Sequence, residues 1–304
     1  MIDRRLKVRH MQAFVEIARQ RSLKDAAEIL NLTQPAISKT LKELEEIVGA
    51  TLLTRSRSGV ATTLEGDVFL RHATAGLSSF DRALSSISDF AEGARGIVRI
   101  GALPSVAARL LPQVVQEFGH LAPGATAVVE DGPHGYLVDK LRAGQIDLVI
   151  GRLGKPDTMR GLTFTQLYIE SVAIVCAPDH PVQDVRRLSD IFDYPVIYPP
   201  EDSAIGPLVD RMMISEGINK DESRVHSVSA TFGRGLVLSS HAVWIISAGV
   251  VADDISAGRL RALTFDTGLT VGPIGLMARA DVDLSPLADL FAQTALRASE
   301  EKPT

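Results

Sequence analysis

The chain has 304 residues, 45% of them hydrophobic, enough for two or three domains with buried cores. Its net charge of −5 excludes a protein that coats nucleic acid over its whole surface. The charge is unevenly placed, with 11 Lys+Arg against 7 Asp+Glu in residues 1–60 and 21 against 30 in residues 61–304. A basic head on an acidic body fits a focal contact with DNA.

The charged N-terminus, Met1 to His10, is not followed by an apolar stretch, so no secretory leader is expected. From Val8 to Arg19, apolar residues at Val8, Met11, Phe14, Val15 and Ala18 recur three and four apart and predict an amphipathic helix. Ser22 is a good N-cap for a second helix, in which Ala26, Ala27 and Leu30 face inward, and Asp25 could complete a weak capping box. Asn31 and Leu32 make a tight turn. Thr33 caps a third helix with Pro35 in its first turn, where a missing N–H costs nothing.

In that third helix Ile37, Leu41, Leu44 and Val48 form the buried stripe, and Gly49 ends it. Gln34, Ser38, Lys39 and Lys42 are left outside, the side-chain types that read base edges and phosphates in a major groove. Leu52 to Arg55 and Val60 to Thr62 predict a short hairpin whose Arg55 and Arg57 reach phosphates or the minor groove. The plain alternative is a three-helix packing module with an ordinary polar face.

Leu64 opens almost thirty residues of helical character. Leu70, Ala73, Leu77, Phe80, Leu84, Ile87 and Ala91 recur at intervals of three and four, a heptad seam best buried against a partner helix. The expectation is a dimerisation stalk; the alternative is one helix packed on its own domain.

Gly93 to Gly96 breaks that helix. Beyond it, strand candidates at 97–101, 127–130, 147–150, 172–176, 196–198 and 243–246 alternate with helical stretches, predicting an α/β region with mostly parallel sheets. In such folds ligands bind beyond the carboxyl ends of strands. The segments found there are Leu103-Pro104-Ser105, Asp131 to His134, Gly151-Arg152 and Pro199 to Ser203, with Ala230 to Arg234 opening a helix. Ser105, His134, Arg152, Ser203, Thr231, Phe232 and Arg234 are the candidate ligand contacts, and helix N-termini there favour an anion.

Catalytic strings are missing: no GxGxxG, Walker A or GxSxG occurs, so no enzyme is expected. The seven histidines show no metal-ligand spacing and read mostly as surface or capping residues; no metal and no cofactor is expected. Cys176, the only cysteine, sits in the run Val172 to Ala177 and reads as a small buried hydrophobe. The longest apolar window, Ala242 to Ala252, is short of the ~20 residues that cross a bilayer, so no membrane partner is expected.

The string Ala26-Ala27, Leu32-Thr33-Gln34-Pro35-Ala36-Ile37-Ser38-Lys39, Leu41, Leu44-Glu45, Gly49, Leu52-Leu53-Thr54-Arg55, Thr63 and Gly66 resembles the LysR-type transcriptional regulators. Leu53-Thr54 replaces the usual Leu-Phe, and Leu64-Glu65 the common Thr-x-Ala. Gly101 to Ala107 and Thr231 to Gly235 are similar to a narrower group that includes activators of protocatechuate-degradation operons and a sugar-responsive regulator.

The resemblance implies a winged helix-turn-helix over 1–63, a linker and dimerisation helix over 64–93, and a two-lobed, periplasmic-binding-protein-like effector domain over 94–304. Lobe I would span about 94–165 and 270–304, and lobe II about 166–269, with two crossing strands as hinge. It also implies a homodimer pairing into a homotetramer on promoter DNA in the cytoplasm, an activator working with RNA polymerase. Thr33, Gln34, Pro35, Ser38, Lys39 and Lys42 would contact DNA with Arg55 and Arg57, and Ser105 would touch the effector. The effector expected is a small carboxylated metabolite of aromatic breakdown. The alternatives are a sugar-responsive regulator of a transport operon, or a constitutive DNA-binding protein with a vestigial pocket.

Overall fold

A computed structural model describes residues 3–56, 59–91, 96–182, 187–218 and 225–300, with backbone only at 55–56, 82 and 85–91. The chain divides into two compact units, one of Met1–Gly93 with Arg142–Gln145 and a second of Ala94–Leu141 with Ile146–Thr304.

The first unit starts with three helices, α1 (Val8–Gln20), α2 (Leu23–Ile29) and α3 (Gln34–Val48). Phe14, Ile17, Ala26, Ile37 and Leu44 are fully buried between them, so the spacing of three and four places the core as expected. Val8 and Val48, expected in the stripes, are instead exposed, because each lies at the outer end of its helix. Ser22 Oγ accepts from the Asp25 amide at 3.2 Å, and Gly49 closes α3 at φ 75°. An antiparallel hairpin follows, β1 (Leu53–Ser56) and β2 (Gly59–Thr62).

The helix α4 (Leu64–Ala91) runs 28 residues. Its first turns belong to the head: Phe69 packs edge-on against Phe14 at 5.3 Å, and Ala73 is 3% exposed inside the head core. The expected boundary at 63 therefore divides one packed unit.

The second unit holds two five-stranded sheets. In the first the order is β4-β3-β5-β12-β6, from β3 (Ile97–Ala102), β4 (Thr126–Asp131), β5 (Leu148–Arg152), β6 (Leu162–Glu170) and β12 (Gly272–Arg279). In the second it is β11-β7-β10-β8-β9, from β7 (Val172–Cys176), β8 (Val196–Tyr198), β9 (Val225–His226), β10 (Val243–Ser247) and β11 (Arg261–Ala262). β3 pairs parallel with β4 and β5, and β8 with β9 and β10. β12 runs antiparallel to both neighbours, as does β7.

The sheets are thus mixed, correcting the expectation of mostly parallel ones. The lobe boundary shifts as well. Residue 165 falls inside β6, which stays in the first sheet to Glu170, and the chain enters the second sheet at Val172. The return falls before Gly272, where β12 begins.

Helices cover both sheets. α5 (Pro104–Arg109), α6 (Leu111–Leu121), α7 (His134–Arg142) and α11 (Pro286–Glu300) serve the first, with Phe118 and Phe291 edge-on at 5.2 Å. α8 (Gly206–Ser215), α9 (Ala230–Ser239) and α10 (Ala248–Ser256) serve the second, around the fully buried Trp244. Cys176 is fully buried, as expected.

Candidate nucleic-acid interface and ligand cavity

The exposed face of α3 is built by its cap. Thr33 Oγ1 accepts from the Ala36 amide at 3.4 Å, which starts the helix with Gln34 and Pro35 in solvent. Lys39 and Lys42 project from the same face, and Ser38 beside them is half-buried. Lys39 Nζ is 4.0 Å from Glu43 and Lys42 Nζ 3.9 Å from Glu46, both lysine side chains 79% exposed. Exposed pairs of this kind contribute little, so either lysine can leave its partner for a phosphate.

The hairpin is tied to the helices by two sets of bonds. Glu45 Oε1 accepts from the Leu52 amide at 2.7 Å and the Leu53 amide at 3.2 Å. The Val60 amide donates to Arg21 O at 2.9 Å, and a Cβ at Gly59 would lie 2.6 Å from that oxygen at φ 113°. Arg55 is on β1, although its side chain lies outside the described residues, as does all of Arg57. In the sequence Glu45 stands only as part of the family string; its work as the wing's anchor is visible only once β1 lies beside α3.

The expected α4 seam is not uniform. Ala73 is consumed by the head core, and Leu70 and Leu77 pack partly on it, which corrects their reading as free seam positions. Phe80 and Leu84 stand 55% and 66% exposed. The Ile87 side chain lies outside the described residues.

In the second unit the carboxyl ends of the parallel strands converge on one cavity of about 270 Å³. β3 contributes Ser105 through the start of α5, β4 contributes His134, and β5 contributes Arg152. From the other lobe come Asp202 and Ser203 after β8, and Ser247 at the end of β10. The remaining wall is largely apolar, including Leu103, Ile205, Val228, Ile246, Val250 and Ile274. Four expected contacts, Ser105, His134, Arg152 and Ser203, therefore meet in one place. Asp202 and Ser247 were missed, although both satisfy the strand-end rule that found the others.

Thr231, Phe232 and Arg234, the other expected contacts, are not among the residues that line this cavity. Thr231 and Phe232 are exposed on the first turn of α9, whose N-cap Ser229 accepts from the Phe232 amide. Arg234 Nε donates to Asp254 Oδ2 at 2.7 Å, and Arg259 Nε takes Asp254 Oδ1 at 2.7 Å. Gly233 permits this packing, because a side chain there would run into the Trp244 ring. Within that string, Gly233 lets α9 lie on the sheet at Trp244 and Arg234 ties it to α10.

Arg152 is 4% exposed and donates to Glu170 O at 3.0 Å and Thr270 O at 3.2 Å. Burial disfavours its charged form, and Glu170 opposes that effect. Glu170 is 5% exposed; burial pushes its carboxyl above the usual range, against Ser105, Arg152 and the Gly249 amide, which donates to Oε1 at 3.1 Å. Burial also pushes the Tyr168 hydroxyl upward beside them.

His72, His120, His226 and His241 are exposed and His10 caps α1 by accepting from the Lys7 amide, as expected of most histidines, whereas His134 and His180 are buried. His180 shows why: its Nδ1 accepts from the Val182 amide at 3.0 Å and its Nε2 faces His241 O at 3.0 Å. Among the described residues no cluster of His, Cys, Asp or Glu could hold a metal ion, and no helix is long and apolar enough to cross a membrane.

A helix-turn-helix head with a wing and a long helix, in a chain that also folds a two-lobed cavity domain, defines a ligand-sensing DNA-binding regulator. Residues 8–67 match the bacterial regulatory helix-turn-helix protein of the lysR family, and residues 91–300 the LysR substrate binding domain. The chain belongs to the LysR family of transcriptional regulators. It is 41% identical to the HTH-type transcriptional regulator PcaQ of Agrobacterium fabrum, over 99% of this chain and 97% of that protein. It is 35% identical to the uncharacterized HTH-type transcriptional regulator YdcI of Escherichia coli, over 94% and 93% of the two chains. The crystal structure of CbnR, a LysR family transcriptional regulator, superimposes with a TM-score of 0.64 at 20% identity, covering 97% of this chain and 99% of that one.

Proposed function

We propose that this regulator activates transcription when its cavity takes up a small carboxylated metabolite of aromatic breakdown. The observation that carries the reading is Arg152, a buried arginine among the residues that line a largely apolar cavity of about 270 Å³. An aromatic or unsaturated acid satisfies both features: its carbon frame is covered by the apolar wall and its carboxylate meets Arg152. Ser105, His134, Ser203, Asp202 and Ser247 are the polar contacts for its remaining oxygens.

On DNA, Thr33, Gln34, Pro35, Ser38, Lys39 and Lys42 enter the major groove and Arg55 and Arg57 follow the backbone beside it. Phe80, Leu84 and Ile87 pair α4 with a second copy, giving two heads for two half-sites. Two such dimers form a tetramer that works with RNA polymerase in the cytoplasm.

Calorimetric titration with 3-carboxymuconate tests the effector reading. Binding by the wild type, weakened about tenfold or more in Arg152→Met, is expected from the loss of a charge-assisted contact. Asp202 favours a second reading, because a carboxylate with Ser203 and Ser247 suits the hydroxyls of a sugar. Binding to neutral sugars alone would select it. The DNA reading is tested by Ser38→Ala/Lys39→Ala, which should lose promoter binding and its preference over scrambled DNA while the fold, followed by circular dichroism, is kept.

A further inference from the structure

The chain passes between the two lobes twice, at Ser171 between β6 and β7 and through Thr270 and Val271 before β12. One side chain holds both passages. Arg152 donates from Nη2 to Glu170 O at 3.0 Å on the first and from Nη1 to Thr270 O at 3.2 Å on the second. The Glu170 carboxylate stands 3.7 Å from the same guanidinium.

The backbone makes room for this arrangement at two glycines. A Cβ on Gly272 would come within 2.6 Å of Arg152 Nη1, and one on Gly249 within 2.5 Å of Glu170 Oε1. The passages are tied to each other by the Val172 amide, which donates to Thr270 Oγ1 at 3.0 Å. They are tied to the second lobe by the Ala248 amide, which donates to Ser171 O at 3.0 Å.

Arg152 also lines the cavity. Two of its five N–H groups go to the two backbone carbonyls, and a carboxylate drawn to the others pulls on the same rigid plane that holds both passages. Buried carbonyls left without a donor are costly, and water or a changed backbone must then satisfy them. The cavity and the hinge thus share one donor group.

We propose that Arg152 is a latch between the cavity and the hinge: it pins both passages, and an anion taken up in the cavity recruits it and frees them. The charge of the ligand rests on the reading of the preceding subsection; the pinning does not. A ligand can shift the lobes only by favouring one arrangement, and a pull on this shared group supplies that preference.

Hydrogen exchange on the full-length protein tests the latch without any ligand. In Arg152→Met, amides at 168–173 and 269–274 should exchange about tenfold faster or more, while those of β8 and β10 keep wild-type protection. Arg152→Lys, which keeps the charge but not the planar fork, should free at least one passage, and it preserves the test if the Met variant does not fold. Adding 3-carboxymuconate to the wild type should speed the same amides, with no further effect in Arg152→Met. Unchanged exchange in both variants overturns the latch, as does a wild type that binds this probe without freeing the passages. A probe that does not bind overturns the effector reading instead, and the ligand-free variants still decide the latch.

Discussion

Glu170 and Asp254 are both buried carboxyls flanked by arginine, and they are expected to respond to pH with opposite signs. Burial raises Glu170, so between the ordinary carboxylate range and its raised value the folded chain holds more protons than the unfolded one. Stability therefore falls as pH rises through that window. Glu170→Gln should flatten this part of the profile, measured by urea unfolding across a pH series; an unaltered slope would refute the assignment. Burial also opposes the Asp254 carboxylate, but Arg259 and Arg234 outweigh it and hold it below the usual range. Its contribution is present at neutral pH and lost as pH falls through the depressed value.

Arg234 follows from the same geometry. Arg234→Ala should lower stability by about 1–2 kcal/mol through the bond to Asp254, and leave ligand affinity unchanged. A calorimetric loss of affinity would restore its reading as a ligand contact. At this scale the sequence showed residue types and no partners. Ser105, His134, Arg152 and Ser203 were legible because each follows a strand end, whereas Arg234 opens a helix that turns it toward Asp254 instead.

At the scale of elements, the amphipathic helices of the head were legible because the period of 3.6 is carried by large side chains such as Phe14, Ile17, Ile37 and Leu44. The strands β6 and β12 were not. β6 mixes Thr163, Thr165 and Gln166 into an irregular pattern of exposure, and β12 opens with Gly272-Pro273, which reads as a turn. Gly275 inside β12 is required for pairing: a Cβ there would collide with Thr165 O and Phe164, at the point where the register shifts.

The periodicity of α4 was also legible, but not what each turn of it faces. Ala73 lies in the head core, while Phe80 and Leu84 are exposed. Phe80→Asp/Leu84→Asp should therefore shift the protein toward monomer in sedimentation velocity, with the head's thermal stability preserved. A dimer unaffected by both changes would place the interface elsewhere.

For the molecule as a whole, the two units have separate cores, one around Phe14 and Leu44 and the others around Trp244, Phe118 and Leu137. Separate cores give separable unfolding transitions. Calorimetry should show two, and a cavity ligand at about 100 times its Kd should stabilise only the cavity unit, by about 2.7 kcal/mol. Equal shifts of both transitions would mean that the units unfold as one.

The sequence by itself determined the head, its reading face and the family, because those depend on short-range spacing: caps, helical stripes and a turn within some thirty residues. It also determined that polar residues would collect at strand ends. Only the tertiary structure decided which of them share a cavity, that the sheets are mixed, and that Arg152 holds Glu170 and Thr270, 18 and 118 positions away along the chain. Those facts depend on β12 returning to pair with β5 and β6 after the chain has built the second sheet, and no local period records a pairing made over such distances.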